Sequence, residues 1–162
     1  DSFVGLQILK GKIKVNKKIS KYFIKKYYEP DLQLKFINSL LKLANTSIDI
    51  SDGLIDDLKK MINRQSVSFH IFEKNIPISN TLSQLIEIKK LRKIDVTSRG
   101  DDYQILFTAN SNKSRIIKKI SNNTGIKITK IGKIISGKNK SKIINIKNKQ
   151  IEAKNKGYIH QF

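Results

Sequence analysis

The sequence holds no cysteine and no tryptophan, only 2 prolines and only 2 histidines among 162 residues. Without thiols there are no disulfides, no thiolate metal ligands and no cysteine nucleophile. Two histidines are too few to suggest a histidine-based zinc site. No apolar run approaches the roughly 18 residues that a membrane-spanning helix needs, and the amino terminus lacks the charged-then-apolar order of a signal peptide. The expectation is a soluble, cytoplasmic protein. With 38% hydrophobic residues and 8 glycines the chain also falls outside disordered and collagen-like compositions. Its length is that of one domain, long enough to bury roughly two-thirds of the surface that the unfolded chain exposes. It opens on Asp1-Ser2 rather than methionine, with no linker before the first apolar residues, so residues 1–162 are expected to be one domain cut from a longer protein.

Arginine is scarce too. Lysine and arginine total 33 against 13 acids, a formal charge of +20, yet the arginines are only Arg64, Arg92, Arg99 and Arg115. Polyphosphate backbones attract basic surfaces, but the bidentate guanidinium contacts that read guanine edges need arginine. Lysine is scattered along the whole chain as solvated faces would be. A lysine-rich nucleic-acid-binding module is therefore the weaker alternative, and nucleic acid is not the expected partner.

Along the chain, Ser2 to Lys10 reads as a helix capped by Asp1 or Ser2 and stopped by Gly11. Ile19 to Tyr28 has helical spacing, Glu29-Pro30 ends it, and Leu32 to Leu43 continues as a second helix. Ser47 to Ile50 alternates like a strand, and Leu54, Ile55, Leu58, Met61 and Ile62 follow with the period of an amphipathic helix. Val67 to Phe72 alternates as a strand, and Asn80 to Leu91 is a helix capped at Asn80 or Thr81, with a loop after it. Tyr103 to Thr108 reads as a central strand after a turn at Gly100, and Ser111 to Ile120 as a helix. Ile126 to Ile135 and Ile143 to Ile151 suit a lysine-fringed hairpin at a sheet edge, turning near Gly137-Lys138-Asn139-Lys140. Helices and strands interleave irregularly, so the expected class is α+β, or α/β in the loose sense: a mixed sheet with helices packed on it.

Acids are the rare commodity, and six of them fall in two places: Asp49, Asp52, Asp56 and Asp57 around the first strand-to-helix junction, Asp101 and Asp102 at the turn before the strong strand. Asp49 at a strand end and Asp52 at a helix start would present hard oxygen ligands to one mouth. Magnesium takes one or two carboxylates plus phosphate oxygens, so a sparse aspartate set suits nucleotide chemistry. A helix starting near Ser51 would add free amides and a positive dipole end for phosphate, with Gly53 permitting close approach and Ser51 able to bind a phosphate oxygen. The same residues also make an ordinary helix cap, with Asp56-Asp57 a solvated first-turn pair and Gly100-Asp101-Asp102 a plain turn. The residues by themselves leave both readings open.

The order of the motifs adds a resemblance. Asp49-Ile50-Ser51-Asp52-Gly53-Leu54-Ile55-Asp56-Asp57-Leu58 is similar to the D-x-S-D-G-L-x-x-D-L segment of thiamine-monophosphate kinases, which belong with aminoimidazole ribonucleotide synthetase and selenophosphate synthetase. Ser98 to Thr108 resembles that family's S-G-G-E-D-Y-E-L-L-F-T, with Ile76-Pro77 between the two motifs. Tyr28-Glu29-Pro30, Ile131 to Gly137 and the Gly157-Tyr158-Ile159-His160-Gln161-Phe162 tail fall in the family's order as well.

The resemblance implies the carboxyl-terminal domain of an aminoimidazole ribonucleotide synthetase-like protein, and transfer of a phosphoryl group from ATP to thiamine monophosphate with magnesium as cofactor. It implies Asp49 and Asp52 as metal ligands, Ser51 as an ATP contact, and Asp101 and Tyr158 as contacts to thiamine monophosphate. No side chain is implied as a nucleophile. A homodimer formed through an absent amino-terminal domain is implied too, as is inactivity of this piece alone. Other members of the superfamily share ATP and metal and are the enzyme alternative. Arg99 stands where the family has glycine and is expected to restrict the turn. Asp101 replaces glutamate and shortens the reach to substrate by roughly 1.5 Å, and Gln161 interrupts the tail.

Overall fold

The computed structural model describes residues 1–63 and 65–153. The tail motif, including Tyr158, lies outside the described residues.

Seven helices and six strands are seen among the described residues. The first pair is α1 (Ser2–Leu9) and α2 (Lys17–Tyr28). Asn16 starts α2 by accepting a hydrogen bond from the Ile19 amide at 2.9 Å, the usual way to satisfy a first-turn donor. Phe23 on α2 and Val4 on α1 are both fully buried. A short 3-10 turn at Leu34–Phe36 runs into α3 (Ile37–Leu43), so the second helical pattern is real but broken after Pro30. The strand β1 (Thr46–Asp49) leads to α4 (Leu54–Met61), and β2 (Val67–Phe72) follows.

The next helix, α5 (Asn80–Lys89), is capped by Ser79, whose hydroxyl accepts from the Leu82 amide at 3.0 Å. The cap is thus one residue earlier than expected, because Ser79 has the extended backbone a cap needs. The segment expected as loop contains α6 (Lys93–Thr97). Then come β3 (Ile105–Thr108), α7 (Ser114–Thr124), β4 (Gly132–Ser136), β5 (Lys142–Ile144) and β6 (Gln150–Ile151).

The strands form two sheets. One is a mixed sheet in the order β4-β2-β5-β6, with β2 antiparallel to β4 and parallel to β5. The expected hairpin of β4 and β5 is therefore not formed: β2 lies between them, antiparallel to β4 and parallel to β5, and the hairpin-like antiparallel pair at this end of the chain is β5 with β6. The Gly137–Lys140 segment is a crossover, tied down where the Ser68 hydroxyl donates to the Gly137 carbonyl at 2.6 Å and accepts from the Lys140 amide at 3.0 Å. The second sheet is a two-stranded antiparallel ribbon of β1 and β3. β3 is not central, contrary to its apolar run; its buried Leu106 instead packs on α4.

Two apolar cores result. One joins α4 (Leu54, Ile55, Leu58, Met61) to β2 (Phe69, Ile71), Ile143 and Leu106. The other joins Val4, Phe23, Leu82, Leu85 and Val96. The short helix α6 spans both, with Ile94 in the first and Val96 in the second. This fixes the turn after α6 over the β1-to-α4 junction. The α+β expectation, a mixed sheet with helices packed on it, is met.

Candidate functional site

The ribbon aligns the two acidic motifs. Asp49 at the end of β1 pairs in register with Ile105 at the start of β3. Past the ladder, the Ile50 amide donates to the Gln104 carbonyl at 2.9 Å and the Tyr103 amide donates back to the Ile50 carbonyl at 2.9 Å. One residue further, the Asp101 amide donates to the Ser51 carbonyl at 3.0 Å. Motifs some fifty positions apart thus become one surface, stitched by backbone alone.

Two glycines allow this approach. A Cβ on Gly100 would lie 1.8 Å from the Ser51 carbonyl oxygen, and one on Gly53 would lie 2.4 Å from the Ser98 carbonyl oxygen. Gly53 also has φ +126, a conformation that side chains resist. Arg99, standing where the family has glycine, does not have positive φ. The turn therefore holds Arg99 without the strain that a positive φ would impose on a side chain. Its guanidinium lies over the Phe3 ring at 5.1 Å, a cation-π contact that fastens the turn to α1.

The acids themselves play unequal roles. Asp49 is exposed and Asp52 half-buried, so neither is sealed in the interior. Asp52 pairs with Lys60, whose ammonium also reaches Asp57 Oδ1 at 3.1 Å. The hydrogen bond that the Lys60 ammonium donates to Asp52, with the one it donates to Asp57 and the field of both carboxylates, raises the Lys60 pKa against an opposing desolvation effect. Asp101 takes a positive φ, and its pKa is raised, first by burial and then by repulsion from Asp102 and Asp52. Asp101 and Asp52 therefore share one electrostatic neighbourhood. Asp102 has a structural task, accepting from the Ser2 amide at 3.1 Å at the start of α1.

Asp57 overturns one expectation. It is not a solvated first-turn acid: its side chain is 1% exposed. Its Oδ2 accepts hydrogen bonds from the consecutive amides of Ser51, Asp52 and Gly53 at 2.9, 2.9 and 3.0 Å. α4 starts at Leu54, not near Ser51, and these junction amides are spent on Asp57 rather than free for phosphate. The sequence carried a signal for this. Asp57 sits three residues after Leu54, one before Leu58 and four before Met61, on the helix face that is otherwise apolar. An acid on a buried stripe needs internal donors, and Gly53 at the cap position supplies no side chain of its own to take them.

Among the described residues, no three His, Asp or Glu side chains are grouped closely enough to hold a metal ion. The donors present are all carboxylate oxygens, the type magnesium prefers, but they make a partial set. Among these residues, too, no helix is long and apolar enough to cross a membrane.

No family model matches the chain. It is 32% identical over 161 residues to the thiamine-monophosphate kinase of Buchnera aphidicola subsp. Schizaphis graminum, covering 99% of this chain and 49% of that protein. It is 30% identical over 135 residues to the Escherichia coli K12 thiamine-monophosphate kinase, covering 83% of this chain and 41% of that one. The chain thus spans less than half the length of these curated relatives. Among solved structures, the thiamine monophosphate kinase of Aquifex aeolicus superposes with a TM-score of 0.73 at 26% identity, over 93% of this chain and 48% of that one. A structure described as AaThiL complexed with AMPPCP and TMP gives 0.73 at 26% identity over 97% of this chain and 47% of that one. HypE of E. coli, at 11% identity and a TM-score of 0.61, shares the fold alone. By both sequence and fold, the chain belongs to the thiamine-monophosphate kinase family.

Proposed function

We propose that this chain is the carboxyl-terminal domain of a thiamine-monophosphate kinase, which in complete form transfers the terminal phosphoryl group of ATP to the phosphate of thiamine monophosphate. The observation that carries the reading is the junction of the two motifs, where the Asp101 amide meets the Ser51 carbonyl at 3.0 Å and Asp52 acts on the Asp101 carboxyl. A related structure described as complexed with AMPPCP and TMP supports ATP and thiamine monophosphate as the two ligands.

In this reading Asp49 and Asp52 hold magnesium, and Ser51 contacts ATP between them in sequence. Asp101 contacts the thiamine phosphate, and Tyr158 offers an aromatic face to the thiamine ring. Magnesium supplies neutralisation of the phosphate charge that builds up as the phosphoryl group moves. The chain's own residues position: the ribbon sets the spacing between the ATP side and the acceptor side, and no side chain has to act as a nucleophile. Two carboxylates with phosphate oxygens suit magnesium, and the family resemblance further implies metal ligands from the part of the protein that the relatives' extra length represents. That part is an amino-terminal domain through which the enzyme is a homodimer, and the piece alone is inactive. The protein works in the cytoplasm, with neither membrane nor nucleic acid as a partner.

A coupled assay on the complete gene product with ATP, magnesium and thiamine monophosphate should give thiamine diphosphate and ADP. Absence of turnover with that acceptor, or turnover indifferent to chelation of magnesium, would reject the reading.

A further inference from the structure

Three consecutive backbone amides converging on one point are a familiar anion receptor; in nucleotide-binding loops such concavities hold phosphate. Here the concavity formed by the Ser51, Asp52 and Gly53 amides is filled from within the chain by Asp57 Oδ2. We infer that Asp57 is a positioning residue of the nucleotide site, which by occupying these amides turns an anion-binding loop into a platform that presents carboxylates to a cation.

The argument runs through geometry and charge. With its amides spent, the loop can meet a nucleotide only through side chains: the half-buried Asp52, the Ser51 hydroxyl, and Asp49 one strand-end earlier. Lys60 pairs with Asp52 and Asp57, but with Asp49 beside them and Asp101 and Asp102 across the junction the carboxylates outnumber it, a balance that repels bare phosphate and favours phosphate that arrives with a divalent cation. Gly53 cannot fix the loop through a side chain, and no side-chain cap is made there. Asp57 therefore does that work from inside the helix, with its second oxygen held by Lys60 at 3.1 Å. Such a bond set, a buried carboxylate with three amide donors, is stiff and charge-assisted. It defines where the Cα of Asp52 stands relative to Asp101 across the ribbon.

The inference rests on the proposed ATP and magnesium reading, and the two can fail separately. The test measures binding of AMPPCP to the complete gene product by calorimetry over a series of magnesium concentrations, without relying on turnover. The variants are Asp57→Asn, Asp57→Ala and Asp52→Asn. Wild type is expected to bind AMPPCP only with magnesium, and Asp52→Asn to weaken that dependence. Asp57→Asn keeps the shape but loses the charge, and is expected to raise the magnesium concentration for half-maximal binding by about tenfold. Amide hydrogen exchange at Ser51, Asp52 and Gly53 should accelerate in Asp57→Asn while the strands keep their protection. Asp57→Ala empties the receptor, and inorganic phosphate without magnesium should then compete for the site as it does not in wild type.

If wild type ignores magnesium, or Asp52→Asn binds as wild type does, the underlying reading fails. If those two behave as expected while Asp57→Asn keeps the wild-type magnesium midpoint and exchange rates, the role assigned to Asp57 is overturned. Should Asp57→Ala not fold, Asp57→Asn decides alone. A drop in its melting temperature with an unchanged magnesium midpoint counts against the inference, since that is what a purely structural acid would give.

Discussion

The Asp101 amide donates to the Ser51 carbonyl at 3.0 Å, and this one hydrogen bond joins the turn before β3 to the junction before α4. The contact exists only because the backbone between is bare. At Gly100 a Cβ would stand 1.8 Å from that same carbonyl oxygen, and the obstacle is backbone rather than a side chain that could swing aside. Gly100→Ala should therefore force the two motifs apart and cost on the order of 3 kcal/mol. Gly53→Ala should cost at least as much, since it adds unfavourable φ to the clash with Ser98. Gly125→Ala is the control: it has φ +70 but nothing within 4 Å, and should cost only about 1 kcal/mol. Urea midpoints of the three variants check the order.

Asp101 gives a pH prediction. Its folded pKa is raised by burial and by the neighbouring carboxylates Asp102 and Asp52, with Lys10 opposing. The folded state therefore holds this proton more tightly than the unfolded chain does. Stability falls as pH rises from the ordinary aspartate value to the raised one, and the penalty persists above it. Asp101→Asn removes the charge and should stabilise the protein at neutral pH. The advantage should shrink on acidification and vanish below the ordinary aspartate pKa of 3.8. Melting temperatures of the pair across that range test the sign.

Ser98 is 2% exposed, and among the described residues its hydroxyl has no hydrogen-bond partner. Burying an unpaired hydroxyl is a cost, and its removal leaves only a very small gap. Ser98→Ala should be neutral or stabilising by up to about 1 kcal/mol. A clear loss of stability in thermal unfolding would contradict this.

The sequence made the regular elements readable where a period ran long enough. α2 and α4 are cases: each buries one stripe, so their spacing announced them. α6 escaped because five residues make little more than one turn, too short for any period to emerge. The expected edge hairpin fails for a different reason. Two Ile-rich runs around a glycine satisfy the local rule for a hairpin, yet β2 offers both of them a partner, and nothing local encodes insertion of a strand from seventy residues earlier. At the site, the acids near Ser51 stood out through scarcity alone. What stayed hidden was their division of labour. Asp57 looked like the neighbouring Asp56, and only its place on the apolar stripe set it apart.

That division can be tested through stability as well. Lys60 bridges Asp52 and Asp57 but is 51% exposed, so water screens its pairs and the side chain gives up entropy to hold them. Lys60→Ala should lower stability by less than about 1 kcal/mol. Asp57→Ala should be far worse, because it strands three junction amides that have no other acceptor within the turn. The Gly53 bond is buried and those of Ser51 and Asp52 part-buried; an unpaired buried donor costs roughly 1–3 kcal/mol and a half-exposed one less, since water can reach it, so a loss of about 2–3 kcal/mol is expected. Chemical denaturation of both variants, each with the double variant to expose coupling, measures the contrast. Equal losses would mean that the ammonium, rather than the amide cluster, is what holds the loop.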